Sequence, residues 1–311
     1  MNRQKIGNVE LDNRLILGAM AGMLRLSLRM AYRQCGCAMT CVGVIDARAV
    51  AQSNSDALIT ILGRREYTNQ EERPVCVQLI GSDVTHMVEA ARRVEHRASI
   101  IDLNFSGPIQ RLVDAGYGAS SLLKHPDVIE KIVSAVVKAV NIPVTAKIRI
   151  GFNGNDVDVI GIARRCQDAG AAAICVHART VSEMYRGPAH WEWIEKVRLA
   201  VDIPVIGNGG IHTPEDAAAM IDQTNCDFLM LGKTPFINPL IFAQIGQYLN
   251  TGDYTRYSEK TAMLKFFWRY WNAERRIGFQ SPLRFLKRRY RAFLEARSFI
   301  QDLENGKASL D

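Results

Sequence analysis

The sequence predicts an α/β fold, a (β/α)8 TIM barrel over residues 1–250, followed by a small all-helical C-terminal domain over residues 251–311. Three observations carry that expectation. Eight short apolar runs recur, at 15–17, 39–44, 75–80, 100–104, 144–148, 173–177, 205–207 and 228–231. Stretches of helical period lie between them, with apolar residues three and four apart in DVTHMVEAARRVEH, PDVIEKIVSAVVKAV and residues 157–169. No GxGxxG follows the first run, which disfavours an open doubly wound sheet and leaves eight strand-helix units closing on themselves.

Taken in order, the first run opens into the segment GAMAGM, and the second follows the cysteine-rich CGC. The later runs end on polar residues: the third at Gln78, the fourth at Asn104, the fifth at Lys147 and Arg149, the sixth at His177 and Arg179, the seventh at Asn208. In a parallel barrel every such end opens on the same mouth, so groups far apart in sequence converge on one pocket. The seventh run continues into NGG and the eighth into LGK. Gly209, Gly210 and Gly232 let backbone amides approach an oxygen closely, and Lys233 adds positive charge, an arrangement suited to phosphate. Phosphate there, Lys147 at the fifth end and amides at Gln78 and Asn104 suit flavin mononucleotide. A lysine near the flavin pyrimidine edge stabilises the negative charge of the reduced ring, and a two-sided amide pairs with that edge.

At 311 residues, 48% hydrophobic and 23% charged, the chain can bury a large core. It has no apolar run of bilayer length and no signal-like N-terminus, so the expectation is a soluble, cytoplasmic protein. Seven cysteines without a CxxC pair argue against a disulfide framework. Cys35, Cys37 and Cys41 match no strong metal-ligand spacing, and buried thiols are the expectation there, with no metal. The charge is uneven: residues 251–311 hold thirteen Lys/Arg against seven Asp/Glu, +6 of the total +7. In the stretch 283–300, Arg284, Lys287 and Arg288 fan around an apolar face, and Trp268, Tyr270 and Trp271 lie nearby. A basic, aromatic tail on a nearly neutral body points to RNA or another polyanion.

LGAMAGM, ERPVCVQLIGSD, IIDLNFSGP, SSLLKHPDVIEKIV, IPVTAKIRIGF, VHARTVSEMYRGPAHWEWI, IPVIGNGGI and LMLGK occur in order over about residues 13–250. In these stretches the chain resembles the tRNA-dihydrouridine synthase family. The resemblance implies an FMN barrel, reduced by NADPH, that passes hydride to C6 of a uracil flipped out of tRNA, the basic tail serving as an RNA-binding domain. It puts Met20, Gln78, Lys147, His177, Asn208, Gly209, Gly210, Gly232 and Lys233 around FMN. Asn104, Arg149 and Arg179 fall towards the substrate, and Arg284, Lys287 and Arg288 towards RNA. The chain departs from the family motif Asn-x-Gly-Cys-Pro: Ser106-Gly107-Pro108 stands there, so the cysteine that protonates C5 is missing at Gly107. Tyr117, in the following loop, is a candidate substitute acid. Further departures are Ala19 for proline, Leu24-Arg25 for a Thr/Ser-Asp pair, Gly43 for a glutamate and Lys233 for an arginine. Alternative readings are a diverged flavoprotein with another substrate or RNA modification, and an RNA-binding protein that has lost turnover.

Overall fold

The computed structural model describes residues 4–54, 72–107, 119–154, 158–278, 281 and 285–305, without the side chains of 286, 287, 289 and 304. Eight parallel strands close into a barrel: β3 (Leu15–Leu17), β4 (Met39–Asp46), β5 (Val75–Ile80), β6 (Ile100–Phe105), β7 (Val144–Arg149), β8 (Ala173–His177), β9 (Val205–Asn208) and β10 (Phe228–Leu231). They pair in chain order, and β10 closes on β3. Each expected apolar run is a strand, and four of them extend one or two residues further than the apolar pattern. The extensions take in polar or bulky ends such as Asp46, Phe105, Arg149 and Asn208, because ladder pairing continues past the last apolar residue.

An antiparallel hairpin, β1 (Gln4–Ile6) and β2 (Val9–Leu11), precedes the barrel. It is absent from the sequence expectations. Its Ile6 and Leu11 are fully buried in one cluster with Ile16, Met39, Cys41, Cys76, Ile100, Cys175, Phe228 and Met230, which fills the barrel interior. The hairpin therefore plugs the end opposite the polar mouth. Cys76 and Cys175 sit in that interior layer as their two-residue offset from Gln78 and His177 predicts, and Cys175 Sγ lies 3.6 Å from Met230 Sδ.

Helices α1 (Leu26–Arg33), α2 (Ala47–Gln52), α3 (Val84–Val94), α4 (Pro126–Ala139), α5 (Val159–Asp168), α6 (Glu192–Ala200), α7 (Pro214–Thr224), α8 (Thr234–Ile237) and α9 (Ile241–Thr251) surround the strands. Several of their starts are chemically marked. The Asp83 side chain accepts from the His86 N–H at 2.7 Å, and Thr213 with Asp216 forms a reciprocal capping box before Pro214.

The tail folds as α10 (Glu259–Arg276), a π-turn segment (Phe285–Tyr290) and α11 (Arg291–Glu304). Phe285, Phe293 and Ile300 are buried, while Arg288 and Arg291 are exposed. These helices share their apolar core with the barrel. Phe266 packs on Tyr32 at 4.8 Å between ring centroids, and Phe293 stacks on Phe236 at 5.7 Å. Ser27 donates to buried Glu274, adding a polar link across the same seam. Among the described residues no helix is long and apolar enough to cross a membrane, and no cluster of three His, Cys, Asp or Glu could hold a metal ion. Cys35, Cys37 and Cys41 are buried free thiols.

Candidate functional site

The polar ends of β5 to β9 carry two hydrogen-bonded groups. Gln78 Nε2 donates to Asp102 Oδ2 at 2.7 Å, and Asn104 Nδ2 donates to Gln78 Oε1 at 3.1 Å. Thr145 Oγ1 donates to the other Asp102 oxygen at 2.6 Å. Asn104 Oδ1 accepts from both the backbone N–H and the hydroxyl of Ser106, each at 2.9 Å. On the far side, Lys147 Nζ donates to Asn208 Oδ1 at 2.9 Å, and Asn208 Nδ2 donates to the Met230 carbonyl at 2.7 Å. Lys147 thus meets an amide rather than a carboxylate, and Asn208 ties three strands together.

Arg149, at the end of β7, is fully buried. Its Nε donates to the Ser106 carbonyl at 2.9 Å, and its Nη1 to the carbonyls of Thr180 at 2.7 Å and Met184 at 2.8 Å. Its Nη2 is buried and has no hydrogen-bond partner within bonding geometry among the described residues. This arginine straps the loop carrying Gly107 to the loop after β8. Arg179 donates to the Gly187 carbonyl at 2.8 Å and holds the same β8 loop from the other side. Within that loop Glu183 accepts from the Thr180 N–H at 2.7 Å and lies 2.7 Å from His190 Nε2. Met184 takes a left-handed φ of 54°, and the neighbouring Tyr185 ring lies 4.8 Å from Lys233 Nζ and 6.0 Å from the His177 ring.

After β9 the chain turns through Gly209 and Gly210, with φ of +104° and +77°. A Cβ at Gly209 would lie 2.9 Å from His177 Cδ2, and one at Gly210 would lie 2.9 Å from the Ala189 Cβ. The Gly209 carbonyl accepts from the Trp191 indole at 2.9 Å, fixing the turn. The start of α7 is closed by its own capping box, whereas α8 begins at Lys233 with no side-chain cap.

Electrostatics follow from burial among cations. His177 is driven well below the ordinary imidazole value by burial first and then by Arg149, Lys147, Arg179 and Lys233, so it stays neutral. Burial also lowers Lys147. It raises Asp102 from 3.8 to about 6, against the opposing pull of its bonds from Thr145 and Gln78 and of the Lys147 charge. The interior thiols are pushed away from reactivity, Cys175 up to about 12 and Cys76 well above its ordinary value.

Of the sequence-predicted positions, Gln78, Asn104, Lys147, His177, Arg149, Arg179, Asn208 and Gly209 come together here, with Lys233 at the rim. Met20 approaches Gly232, its Sδ 3.5 Å from where a Cβ would stand. Gly107 follows directly on Ser106 in the loop after β6. Tyr117 and Arg284 lie outside the described residues, as does the Lys287 side chain; Arg288 is exposed on the π-turn segment. Sequence reasoning missed Asp102, Thr145 and Tyr185. The signal for Asp102 was available: one carboxylate within the apolar IIDLNF, two residues from Asn104 and so on the same strand face.

The comparisons with known proteins bear on the family and the fold. The family model for dihydrouridine synthase (Dus) matches residues 16–306. The chain is 38% identical over 250 residues to tRNA-dihydrouridine synthase B of Vibrio vulnificus, covering 80% of this chain and 76% of that one. It is 35% identical over 255 residues to tRNA-dihydrouridine synthase B of Pseudomonas aeruginosa, covering 82% and 75%. Among solved structures it is similar to 2-naphthoyl-CoA reductase in complex with 2-naphthoyl-CoA, with a TM-score of 0.62 and 11% identity over 81% of this chain and 52% of that one. Morphinone reductase in complex with tetrahydroNAD gives 0.55 and 12%, over 84% and 93%. At such identities these two structures support the barrel fold alone.

Proposed function

Because the chain belongs to the dihydrouridine synthase family and is a flavin-dependent oxidoreductase, we propose that it holds FMN in the barrel mouth and reduces the C5–C6 bond of a uridine flipped out of tRNA. NADPH is the proposed reductant. The observation that carries the reading is the pairing of the Gln78–Asn104 amides and Lys147 on one side of the mouth with a glycine turn on the other, where a Cβ at Gly209 would strike His177. That turn is the kind of cradle in which backbone amides reach a phosphate, and Lys233, Gly210 and Gly232 extend it. Gln78, Asn104 and Lys147 would meet the flavin ring, with Met20, His177 and Asn208 around it. Bound FMN supplies hydride for C6 of the uracil. Flipping is required because a stacked base cannot lie against the flavin.

The residues of this chain would do the rest. Arg179 offers donors towards the base, Arg149 holds the loops on either side of it, and neutral His177 adds no charge beside Lys147. Residues 251–311 would form the RNA-binding part, with Arg284, Lys287 and Arg288 meeting phosphates. Of the three aromatic residues marked in the tail, Tyr270 is buried and Trp271 packs on Phe285 at 5.1 Å, whereas Trp268 is 66% exposed. Trp268 is therefore the one available to stack on a base.

The proton for C5 needs another source. Gly107 has no side chain, the Ser106 hydroxyl is spent on Asn104, and thiols at Cys76 and Cys175 hold their protons too tightly. Tyr117 or solvent remains. A general acid is worth about 10²- to 10⁴-fold, so the reaction is expected to be slow. The same glycine favours a second reading, in which the barrel has moved to a substrate that needs no acid there, or binds RNA without turnover.

The test is anaerobic. Purified protein with pre-reduced flavin is mixed with unmodified tRNA, and flavin reoxidation is followed alongside a two-hydrogen mass gain on uridine. Both signals support the proposal, and their loss in Tyr117→Phe identifies the acid. RNA binding without either signal, restored in Gly107→Cys, supports the second reading. Trp268→Ala is expected to weaken tRNA binding by about 1–3 kcal/mol without changing flavin content.

A further inference from the structure

Two buried carboxamides in the mouth have coupled orientations. At one end of their chain the Ser106 peptide N–H can only donate, which turns Asn104 Oδ1 towards it and Asn104 Nδ2 towards Gln78. At the other end an ionised Asp102 can only accept, which turns Gln78 Nε2 towards the carboxylate and leaves Gln78 Oε1 for Asn104. Both ends demand the same arrangement. Asp102 is 2% exposed and its second oxygen is held by Thr145, so it is anchored below the mouth. Gln78 is equally buried, and its Nε2 has no acceptor other than Asp102 among the described hydrogen bonds.

We propose that Asp102 is a positioning residue that locks the Gln78 amide, and through it Asn104, in the sense in which they meet the flavin. One N–H and one oxygen lone pair of Gln78, and one N–H of Asn104, then remain to meet the pyrimidine edge, which carries both acceptors and an N–H donor. Without the acceptor, Gln78 keeps a buried N–H with no partner and swings out of register to satisfy it. This rests on the FMN reading of the mouth.

The experiment measures FMN release from the purified full-length protein on dilution, by recovery of flavin fluorescence, together with the visible spectrum of the bound flavin and thermal melting. Asp102→Asn keeps an acceptor for Gln78, because its amide N–H can donate to the Thr145 hydroxyl; Asp102→Leu has similar bulk and no acceptor. Asp102→Asn is expected to hold FMN within about threefold of wild type with an unshifted spectrum, and Asp102→Leu about tenfold or more weakly. Equal affinity in the leucine variant overturns the proposal, and so does an asparagine variant as weak as the leucine one, since charge rather than acceptance would then matter. Should Asp102→Leu fail to fold, the double variant Gln78→Glu, Asp102→Asn decides. It restores the pairing with donor and acceptor exchanged, so wild-type melting with weak FMN binding supports the proposal, and wild-type affinity overturns it. A wild-type protein that neither retains nor takes up FMN overturns the FMN reading itself, and the positioning role with it.

Discussion

Two glycines stand where the family resemblance expects a working side chain, and the backbone treats them in opposite ways. Gly43, on β4, has a φ of +130°, and a Cβ there would lie 2.7 Å from the Gln78 backbone oxygen and 3.3 Å from the Ile45 nitrogen. The register between β4 and β5 shifts at this point, between Val42 and Ile45. Gly107, in the loop after β6, lies outside the left-handed region. Among the described residues a Cβ there would meet Ile80 Cδ1 at 3.5 Å and the Asn104 amide nitrogen at 3.7 Å, ordinary contacts. At position 43 the strand backbone leaves no room for a side chain, whereas at position 107 the described residues leave that room. One position is closed to a side chain by its backbone, and the other is open to one.

The largest expected effect comes from testing the first half of that contrast. Gly43→Glu introduces the residue the resemblance implies but forces a side chain into a conformation that costs about 1–3 kcal/mol in strain alone, before the collision with the Gln78 carbonyl. The variant is expected to melt well below wild type and to lose flavin, because Gln78 would be displaced with its strand. Melting at the wild-type temperature with full flavin content would break the comparison.

The difference between the two glycines also marks what the sequence could reveal. The eight strands were legible because each is a short apolar run, and Gln78, Asn104, Lys147, His177 and Asn208 were legible because barrel topology brings strand ends together. Gly43 and Gly107 were visible as departures, but only φ and the surrounding atoms separate a position closed to a side chain from an open one. Asp102 was passed over because a single carboxylate does not interrupt an apolar strand pattern; its partners, Gln78 and Thr145, lie on neighbouring strands 24 and 43 residues away. The β8 loop was opaque for a related reason. Glu183, His190 and the left-handed Met184 set its shape through contacts that have no period.

Between the two glycines lies the Gln78–Asp102–Asn104 network, and its response to pH sharpens the comparison. Burial first raises Asp102 from 3.8 to about 6, so between those values the folded protein holds a proton that the unfolded chain has lost. Stability contributed by this group is therefore greatest at low pH and falls as pH rises through about 6, by an amount of order 3 kcal/mol. The neighbouring charge is Lys147, and the nearby thiols at Cys76 and Cys175 do not titrate in this window. Asp102→Asn removes the titration while keeping the hydrogen bonds. The variant is expected to gain on wild type in denaturant melts as pH rises from about 4 to about 6 and to hold that gain above it, with little difference at the acid end. A gap that does not change with pH would mean that Asp102 titrates alike in the folded and the unfolded chain, and that burial in the network does not raise it.

The smallest effect on stability is expected at Gly107, and its smallness is the informative part. Gly107→Cys adds a side chain whose first atom meets nothing closer than 3.5 Å among the described residues, and Ser106 just before it stays strapped by Arg149. A substitution free of strain and of buried unpaired groups changes stability by only about 0.5 kcal/mol in either direction. Wild-type melting in Gly107→Cys beside a collapsed Gly43→Glu would show that the mouth still has room for the missing acid. A cysteine variant destabilised as much as the glutamate one would place both glycines in the same class, and the loop after β6 would then have no more room for a side chain than β4 has.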